Sequence, residues 1–261
     1  MDRFSLQDKV ALVTGGGRGI GAGIARGLAE AGAAVAVVAR TQSDVEGVAE
    51  AIEADGGRAI GYAADVKDLG ALPGVVDRAV EEFGGLDILV NNAGGEISPP
   101  FLDTRVDHIR EAIHFNVLVP FELSRLAVPH LLERPGASII NNSSMTTLVS
   151  VRGSLAHHTA KTAESQLTLS MAADLGPRIR VNAVLPGAIE TEALRRYWEE
   201  KDDSLRATLI EHLRMKRLGT PDDVASAVIY LASPAASWVT GLLLEINGGQ
   251  IDEIKAVSPD L

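Results

Sequence analysis

The sequence contains no cysteine among its 261 residues, and aromatic residues make up only 4% of it. Without thiols, the chain cannot form a disulfide scaffold, a thiolate zinc site or an iron–sulfur cluster, and it cannot use a cysteine nucleophile. A chain of this length buries about three quarters of its unfolded surface, so its core needs no such cross-links. Tyrosine is scarce as well, because Tyr62, Tyr197 and Tyr230 are the only three.

Long apolar runs and excess positive charge are also missing. No apolar run approaches the roughly 18 residues of a membrane-spanning helix. Residues 1–5 do not show the cationic flank and apolar core of a secretion signal. Acidic residues outnumber Lys and Arg by 35 to 24, a net charge of −11, which argues against a broad nucleic-acid surface. We therefore expect a cytoplasmic protein with neither membrane nor nucleic acid as a partner.

Short apolar segments alternate with helix-length segments along the whole chain. Segments that are apolar on both faces indicate a parallel sheet covered by helices on each side. This pattern predicts a doubly wound, Rossmann-like α/β fold in one domain, residues 1–261, with ligands at the carboxyl ends of the strands. The predicted strands are 10–13, 34–39, 58–62, 86–90, 137–141, 178–184 and 242–246.

A glycine-rich turn, residues 14–21, separates the first predicted strand from a helix predicted over 19–31. Glycines let a backbone turn sharply and approach a pyrophosphate, to which the helix N-terminus offers its N–H donors. The turn lacks the Gly-Lys-Ser/Thr ending of a nucleotide triphosphatase loop. A dinucleotide is therefore the expected ligand, although such turns also serve as simple strand–helix connections.

Arginine occupies the position where the second predicted strand should meet the adenosine ribose. An acidic residue there would bind both ribose hydroxyls and repel a 2′-phosphate. Here the residue is Arg40, and Arg18 projects from the nearby turn. Two guanidinium groups can clamp a 2′-phosphate, which favours NADP(H) over NAD(H). The alternative is that both are solvated surface arginines.

Motifs in order along nearly the whole chain resemble those of the short-chain dehydrogenase/reductase family. The matching segments are Thr14-Gly15-x-x-x-Gly19-x-Gly21, Asp65-Val66, Asn91-Asn92-Ala93-Gly94, Phe115-Asn116-Val117, Asn141-x-Ser143-Ser144, Pro186-Gly187-x-Ile189-x-Thr191 and Thr240–Gly249. The resemblance implies cofactor contacts at Gly15, Gly17, Arg18, Gly19, Ile20, Gly21, Arg40, Asp65, Val66, Asn92, Ala93, Gly94, Lys161, Pro186, Gly187, Ile189 and Thr191.

The family's catalytic set departs from its pattern at one position. The resemblance implies Asn116, Ser144, a tyrosine thirteen residues after the serine, and a lysine four residues later. The lysine is present as Lys161, but the tyrosine position holds His157. In the family the phenol exchanges a proton with the reacting oxygen, so the substitution affects the general acid–base group.

An imidazole can replace a phenol as a proton acceptor, since its pKa is about 6.5 against about 10 for tyrosine. A nearby Lys161 cation would hold His157 neutral, which suits a base for alcohol oxidation and opposes ketone reduction. The side chain reaches about 2 Å less far than a phenol. The alternative is a packed histidine at a site that has lost its chemistry. His158 points about 100° away on the helix and is expected at the surface or an interface.

Residues 190–218 correspond to the family's substrate lid. Their apolar residues recur at helical intervals, which predicts an amphipathic helical pair covering an apolar substrate, or ordinary packing on the core. These residues are Leu194, Tyr197, Trp198, Leu205, Leu209 and Leu213. The resemblance further implies a homotetramer. No metal site is expected, since His114 and His130 lack ligands at metal-binding spacing.

Three functions remain open from the sequence. The leading one is an NADP(H)-dependent oxidoreductase that interconverts a ketone and a secondary alcohol on a hydroxysteroid-like, cyclic or 3-oxoacyl substrate, with His157 in place of tyrosine. The second is a cofactor-binding pseudoenzyme or scaffold subunit without turnover. The third is a lyase or isomerase on the same fold. NAD is the less favoured cofactor.

Overall fold

Seven parallel strands form one sheet in the computed structural model, which describes residues 2–95, 99–150, 152–192, 194–195 and 203–249. The strand order is β3-β2-β1-β4-β5-β6-β7, numbered along the chain. The strands are β1 (Val10–Thr14), β2 (Ala34–Ala39), β3 (Arg58–Ala63), β4 (Ile88–Asn91), β5 (Ser138–Asn142), β6 (Arg180–Pro186) and β7 (Leu243–Ile246). The predicted doubly wound fold is confirmed.

Helices cover both faces of this sheet. Their bounds are α1 (Gly19–Glu30), α2 (Gln42–Ala54), α3 (Leu72–Phe83), α4 (Val106–Ile113), α5 (Val119–Leu131), α6 (Leu155–Leu175), α7 (Asp203–His212) and α8 (Pro221–Ala232). A π-helix, His114–Leu118, joins α4 to α5. In β1, Ala11 and Val13 pack towards α1, α2 and α8, whereas Val10 and Leu12 pack towards α3 and α5. This alternation explains why the strand is apolar at every position.

Four predicted strands begin before the observed ones: those of β5 and β7 by one residue, and those of β4 and β6 by two. Segments 86–90 and 178–184 were each predicted two residues ahead of β4 and β6. The reason is that buried apolar residues extend beyond the hydrogen-bonded ladder, as Leu86 and Ile179 do. This two-residue shift does not alter the direction of either strand or which of its side chains face each side of the sheet.

The strand ends opposite the glycine turn are held by an ion pair whose carboxylate is buried. Asp87 is 2% exposed; its carboxylate accepts hydrogen bonds from the Lys9 ammonium at 3.0 Å and the Val10 amide at 3.1 Å. This contact joins the segment before β4 to the start of β1. It lies far from the carboxyl ends of the strands, where ligands bind in this kind of sheet.

Part of the predicted lid lies within the described residues. Leu209 and Leu213, at the end of α7, are buried with Leu218, and Leu194 packs against them. Tyr197 and Trp198 lie outside the described residues. Within the ranges the structure describes, no helix is both long and apolar enough to cross a membrane.

Candidate active site

The glycine-rich turn connects β1 to α1 through conformations that require glycine. Gly15 and Gly19 have φ angles of +64° and +53°, in the left-handed region. A Cβ on Gly21 would lie 2.2 Å from the carbonyl oxygen of Gly15. The turn therefore folds back on the first turn of the helix, and a side chain at Gly21 would force the two apart.

The N-terminus of α1 offers its amide groups to a ligand. Within the described part of the chain, no side chain caps this helix and no acidic residue occupies its first turn. The first amides of a helix lack intrahelical acceptors and carry a partial positive charge, so they bind phosphate well. The turn thus fits the pyrophosphate of a dinucleotide.

A cleft of about 670 Å³ runs along the carboxyl ends of the strands. It crosses the position between β1 and β4, where the strand order reverses and where such folds bind nucleotides. Of the sequence-predicted residues it is lined by Gly15, Gly17, Arg18, Gly19, Ile20, Gly21, Arg40, Asp65, Val66, Asn92, Ala93, Gly94, Ser144, His157, Lys161, Pro186, Gly187 and Thr191.

Two predicted site residues lie behind the cleft wall. Ile189 is 5% exposed and packs in the core on the side of α1 and α8. Asn116 is fully buried, and its Oδ1 accepts a hydrogen bond from the Gly95 amide at 2.8 Å while its Nδ2 donates to the Ala112 carbonyl at 2.8 Å. A Cβ on Gly94 would lie 2.8 Å from that Oδ1. Asn116 therefore supports the 94–95 backbone.

Hydrogen bonds from Asn92 hold the glycine turn against the end of β4. The Asn92 side-chain amide donates to the carbonyl oxygens of Thr14 at 2.8 Å and Gly15 at 3.1 Å. Its Oδ1 accepts from Asn142 at the end of β5, at 2.8 Å. These contacts fix the relative positions of three strand ends, so the cleft floor is rigidly built.

At the end of the cleft near the glycine turn and the end of β2, Arg18 forms an ion pair that the sequence did not indicate. Its Nε and Nη2 donate to the two carboxylate oxygens of Asp44 at 2.7 and 3.0 Å, and Glu192 lies 3.9 Å from Nη1. The hydrogen bonds with Asp44 raise the pKa of Arg18 and lower that of Asp44. Arg40 lines the same end of the cleft and is exposed.

At the other end, Ser144, His157 and Lys161 face the cleft together. Ser144 follows β5, and its Oγ accepts a hydrogen bond from the Thr146 amide at 3.2 Å. His157 and Lys161 lie one turn apart on α6. Burial, followed by the charges of Lys161 and His158, lowers the pKa of His157 to about 4. The imidazole is therefore neutral at pH 7.

The Lys161 ammonium has a buried carboxylate partner. Its Nζ donates to Glu164 Oε2 at 2.7 Å and to the Asn142 carbonyl oxygen at 2.9 Å. Lys161 is 4% exposed and Glu164 is 1% exposed. Burial raises the pKa of Glu164, and the charge of Lys161 opposes that shift. Sequence reasoning missed Glu164, although its i,i+3 spacing from Lys161 was a usable signal.

His114 has a structural contact away from the group formed by Ser144, His157 and Lys161. His114 Nε2 lies 2.7 Å from the Lys67 carbonyl oxygen, which anchors the π-helix to the loop after β3. Among the residues that the structure describes, no three His, Asp or Glu side chains gather as a metal site.

The fold and the cleft together are those of a dinucleotide-binding α/β protein. A family model described as enoyl-(acyl carrier protein) reductase matches residues 15–250. An uncharacterized oxidoreductase of Mycobacterium tuberculosis is 45% identical over 250 residues, covering 95% of this chain and 94% of that protein.

Characterised relatives point the same way. The 7α-hydroxysteroid dehydrogenase of Escherichia coli K12 is 37% identical, covering 97% of this chain and 98% of that protein. A solved 7α-hydroxysteroid dehydrogenase, complexed with NADH and 7-oxo glycochenodeoxycholic acid, superposes with a TM-score of 0.92 at 37% identity, covering 97% of this chain and 98% of that chain. The chain belongs to the short-chain dehydrogenase/reductase family and is an NAD(P)-dependent oxidoreductase acting on CH–OH groups.

Proposed function

We propose that the protein interconverts a secondary alcohol and a ketone on an apolar substrate, with NADP(H) as cofactor and His157 as the proton-exchanging group. The observation that carries the proposal is that Ser144, His157 and Lys161 together line one end of the cleft. These side chains supply a hydroxyl, an imidazole and an ammonium, which suffice to bind a reacting oxygen and move its proton.

Each side chain has a distinct part in alcohol oxidation. An oxidised nicotinamide held at this end of the cleft would supply the hydride acceptor. Ser144 donates a hydrogen bond to the reacting oxygen, and the neutral imidazole of His157 accepts the hydroxyl proton. The imidazole reaches about 2 Å less far than a phenol. The proton therefore reaches His157 either through one bridging water or directly, from a substrate seated deeper in the cleft. A pKa of about 4 favours oxidation over reduction at neutral pH.

Relatives of the chain support a cyclic substrate. Those named for such substrates include two hydroxysteroid dehydrogenases and a hydroxynaphthalene reductase. Phe115 of the π-helix lines the cleft, and Leu148, four residues after Ser144, is an exposed apolar side chain. We therefore propose a hydroxysteroid-like or cyclic alcohol, with a 3-oxoacyl compound as the acyclic alternative.

The test is an assay of wild-type protein with NADP⁺ against steroid, cyclic and 3-hydroxyacyl alcohols, following nicotinamide absorbance and identifying the ketone formed. His158→Ala serves as the control and should retain turnover within about threefold, since His158 does not line the cleft. Cofactor binding without turnover across the panel would support a pseudoenzyme or scaffold instead. Product without net cofactor change would support a lyase or isomerase.

Cofactor preference is expected to depend on Arg40. Because Asp44 engages the Arg18 guanidinium, Arg40 is the principal cation for a 2′-phosphate. Arg40→Asp should weaken NADPH binding by about ten- to hundredfold, the value of lost charge-assisted hydrogen bonds, and improve NADH binding. Calorimetric titration of both cofactors measures this.

Arg58→Asp is the matched control, since Arg58 is an exposed arginine at the opposite end of β3. It should leave both affinities within about twofold. Tighter binding of NADH than of NADPH by the wild-type protein would contradict the proposed cofactor.

A cytoplasmic homotetramer is the proposed state of the protein. Apolar side chains around α4 and α5 support an interface, because they are more exposed than an isolated subunit favours. They are Phe101, Leu102, Val106, Leu118 and Phe121, between 44% and 78% exposed. Analytical ultracentrifugation should give about four times the 27.4 kDa subunit mass; a monomer at micromolar concentration would contradict it.

A further inference from the structure

Glu164 is the most deeply buried acidic side chain beside the catalytic end of the cleft. It is 1% exposed, and the Lys161 ammonium lies 2.7 Å from its Oε2. The same ammonium also contacts the carbonyl oxygen of Asn142, the last residue of β5, at 2.9 Å. Lys161 is thus held between its own helix and the sheet, by one charged and one neutral acceptor.

Stability alone does not account for this pair. Removing two charges from water costs several kcal/mol per ion, and apolar residues of similar size often stabilise a core as well or better. The pair lies directly behind the cleft surface to which Lys161 and His157 contribute. A carboxylate at this position changes the electrostatic potential that acts on a ligand bound in the cleft.

We propose that Glu164 is a positioning residue that fixes the Lys161 ammonium against the end of β5 and offsets part of its charge at the catalytic end of the cleft. His157 and an oxidised, positively charged nicotinamide then lie beside a partly compensated ammonium and not beside a lone cation. This inference rests on the proposed function in so far as the nicotinamide occupies the end of the cleft formed by Ser144, His157 and Lys161.

Partial compensation of the Lys161 charge explains how a histidine and a lysine one turn apart can serve the same site. An uncompensated Lys161 would repel both the imidazolium of His157 and the oxidised nicotinamide ring, since charges interact strongly at a few ångströms in a partly buried site. The remaining charged side chains that line the cleft lie on other elements and stay constant when Glu164 is replaced. They are Arg18, Arg40, Asp44, Asp65, Lys67 and Glu192.

The test compares affinities for the oxidised and reduced cofactor, which differ by one positive charge on the nicotinamide ring. Glu164→Gln keeps the size and the acceptor oxygen but leaves the Lys161 charge uncompensated. The ratio of the Kd of NADP⁺ to that of NADPH is expected to rise about tenfold at pH 7. Glu164→Asp retains the charge and should leave the ratio within about twofold of the wild-type value.

Asp87→Asn is the matched control, because it also removes a buried carboxylate from a lysine, but at the far end of the sheet. Its ratio should equal that of the wild type, although its melting temperature falls. The same titrations with NAD⁺ and NADH make the result independent of the cofactor preference. An unchanged ratio in a folded Glu164→Gln variant, judged by circular dichroism, overturns the proposal.

A measurement on the wild-type protein keeps the proposal testable if Glu164→Gln does not fold. The carbon-13 shift of the Glu164 carboxyl group, assigned with Glu164→Asp, is expected at its ionised position at pH 7, and a protonated carboxyl overturns the proposal. Both readouts are independent of turnover. A wild-type protein that binds cofactor but oxidises no alcohol would refute the proposed function. The role of Glu164 in the charge of the cleft would still be tested by the ratio of the Kd of NADP⁺ to that of NADPH.

Discussion

Replacing His157 with alanine is expected to lower kcat for alcohol oxidation by about 10²–10⁴-fold, equivalent to about 3–5 kcal/mol of barrier. The reason is that the substrate hydroxyl loses its proton acceptor while Ser144 and Lys161 continue to line the cleft. The affinity for NADPH should change by less than about threefold. Steady-state kinetics and calorimetry on the same preparation separate the two effects.

His157→Tyr is the informative companion to the alanine variant. It introduces the phenol that the family uses at this position, on the same turn of α6 and four residues before Lys161. We expect it to recover at least tenfold of the activity lost in His157→Ala. Equal kcat values for the wild type and His157→Ala would contradict a proton-transfer role for this histidine.

Ketone reduction by the wild-type protein is expected to accelerate about a hundredfold between pH 7.5 and pH 5.5. Burial lowers the pKa of His157 to about 4, with contributions from Lys161 and His158. Reduction needs the imidazolium form, whose population rises about tenfold for each pH unit while the pH stays above the pKa. Oxidation needs the neutral form, which is already dominant, so its rate should vary little over this range.

The pH series must stop above the isoelectric point of about 5.0, where solubility is lowest. His157→Ala provides the control, since its residual reduction should lose the steep acid dependence. A reduction rate that is flat or increases with pH would show that His157 does not donate the proton.

The sheet could be predicted from the sequence because its signal is local. Each of β1 and β2 is a run of residues buried on both faces, bounded by a glycine or a polar turn. The glycine turn is also a local feature, since Gly15 and Gly21 are required by the path of the backbone itself. These elements depend on residues that are neighbours in the chain.

The partners of the site residues could not be predicted in the same way. Arg18 and Asp44 are 26 residues apart and meet only after α1 and α2 have packed. Asn116 matches a motif, yet the sequence could not indicate that its side chain faces the 94–95 backbone and not the cleft. Glu164 has the spacing of an exposed helical ion pair, and only the tertiary structure reveals that it is buried.

The lid was the least predictable part of the site. Leucines at helical spacing indicate a helix and a buried face, which Leu209 and Leu213 bear out. Spacing does not specify what such a face covers, and here those leucines pack against Leu194 and Leu218. The sequence therefore supported both a substrate cover and ordinary packing, and turnover with substrates of graded size is the measurement that separates them.

The π-helix at His114–Leu118 lets one continuous helical stretch serve two different surfaces. Before it, Ala112 packs against Ala156 and Ala160 of α6, and after it, Val119 and Leu123 enter the main core. A π-turn holds one residue more than an α-turn, so the two halves are rotated by about 100° relative to a uniform α-helix. Deleting a single residue here would bring both halves into one α-helical phase. Either α6 or the main core would then lose its packing partner. The number of residues in this segment is therefore as constrained as their identity.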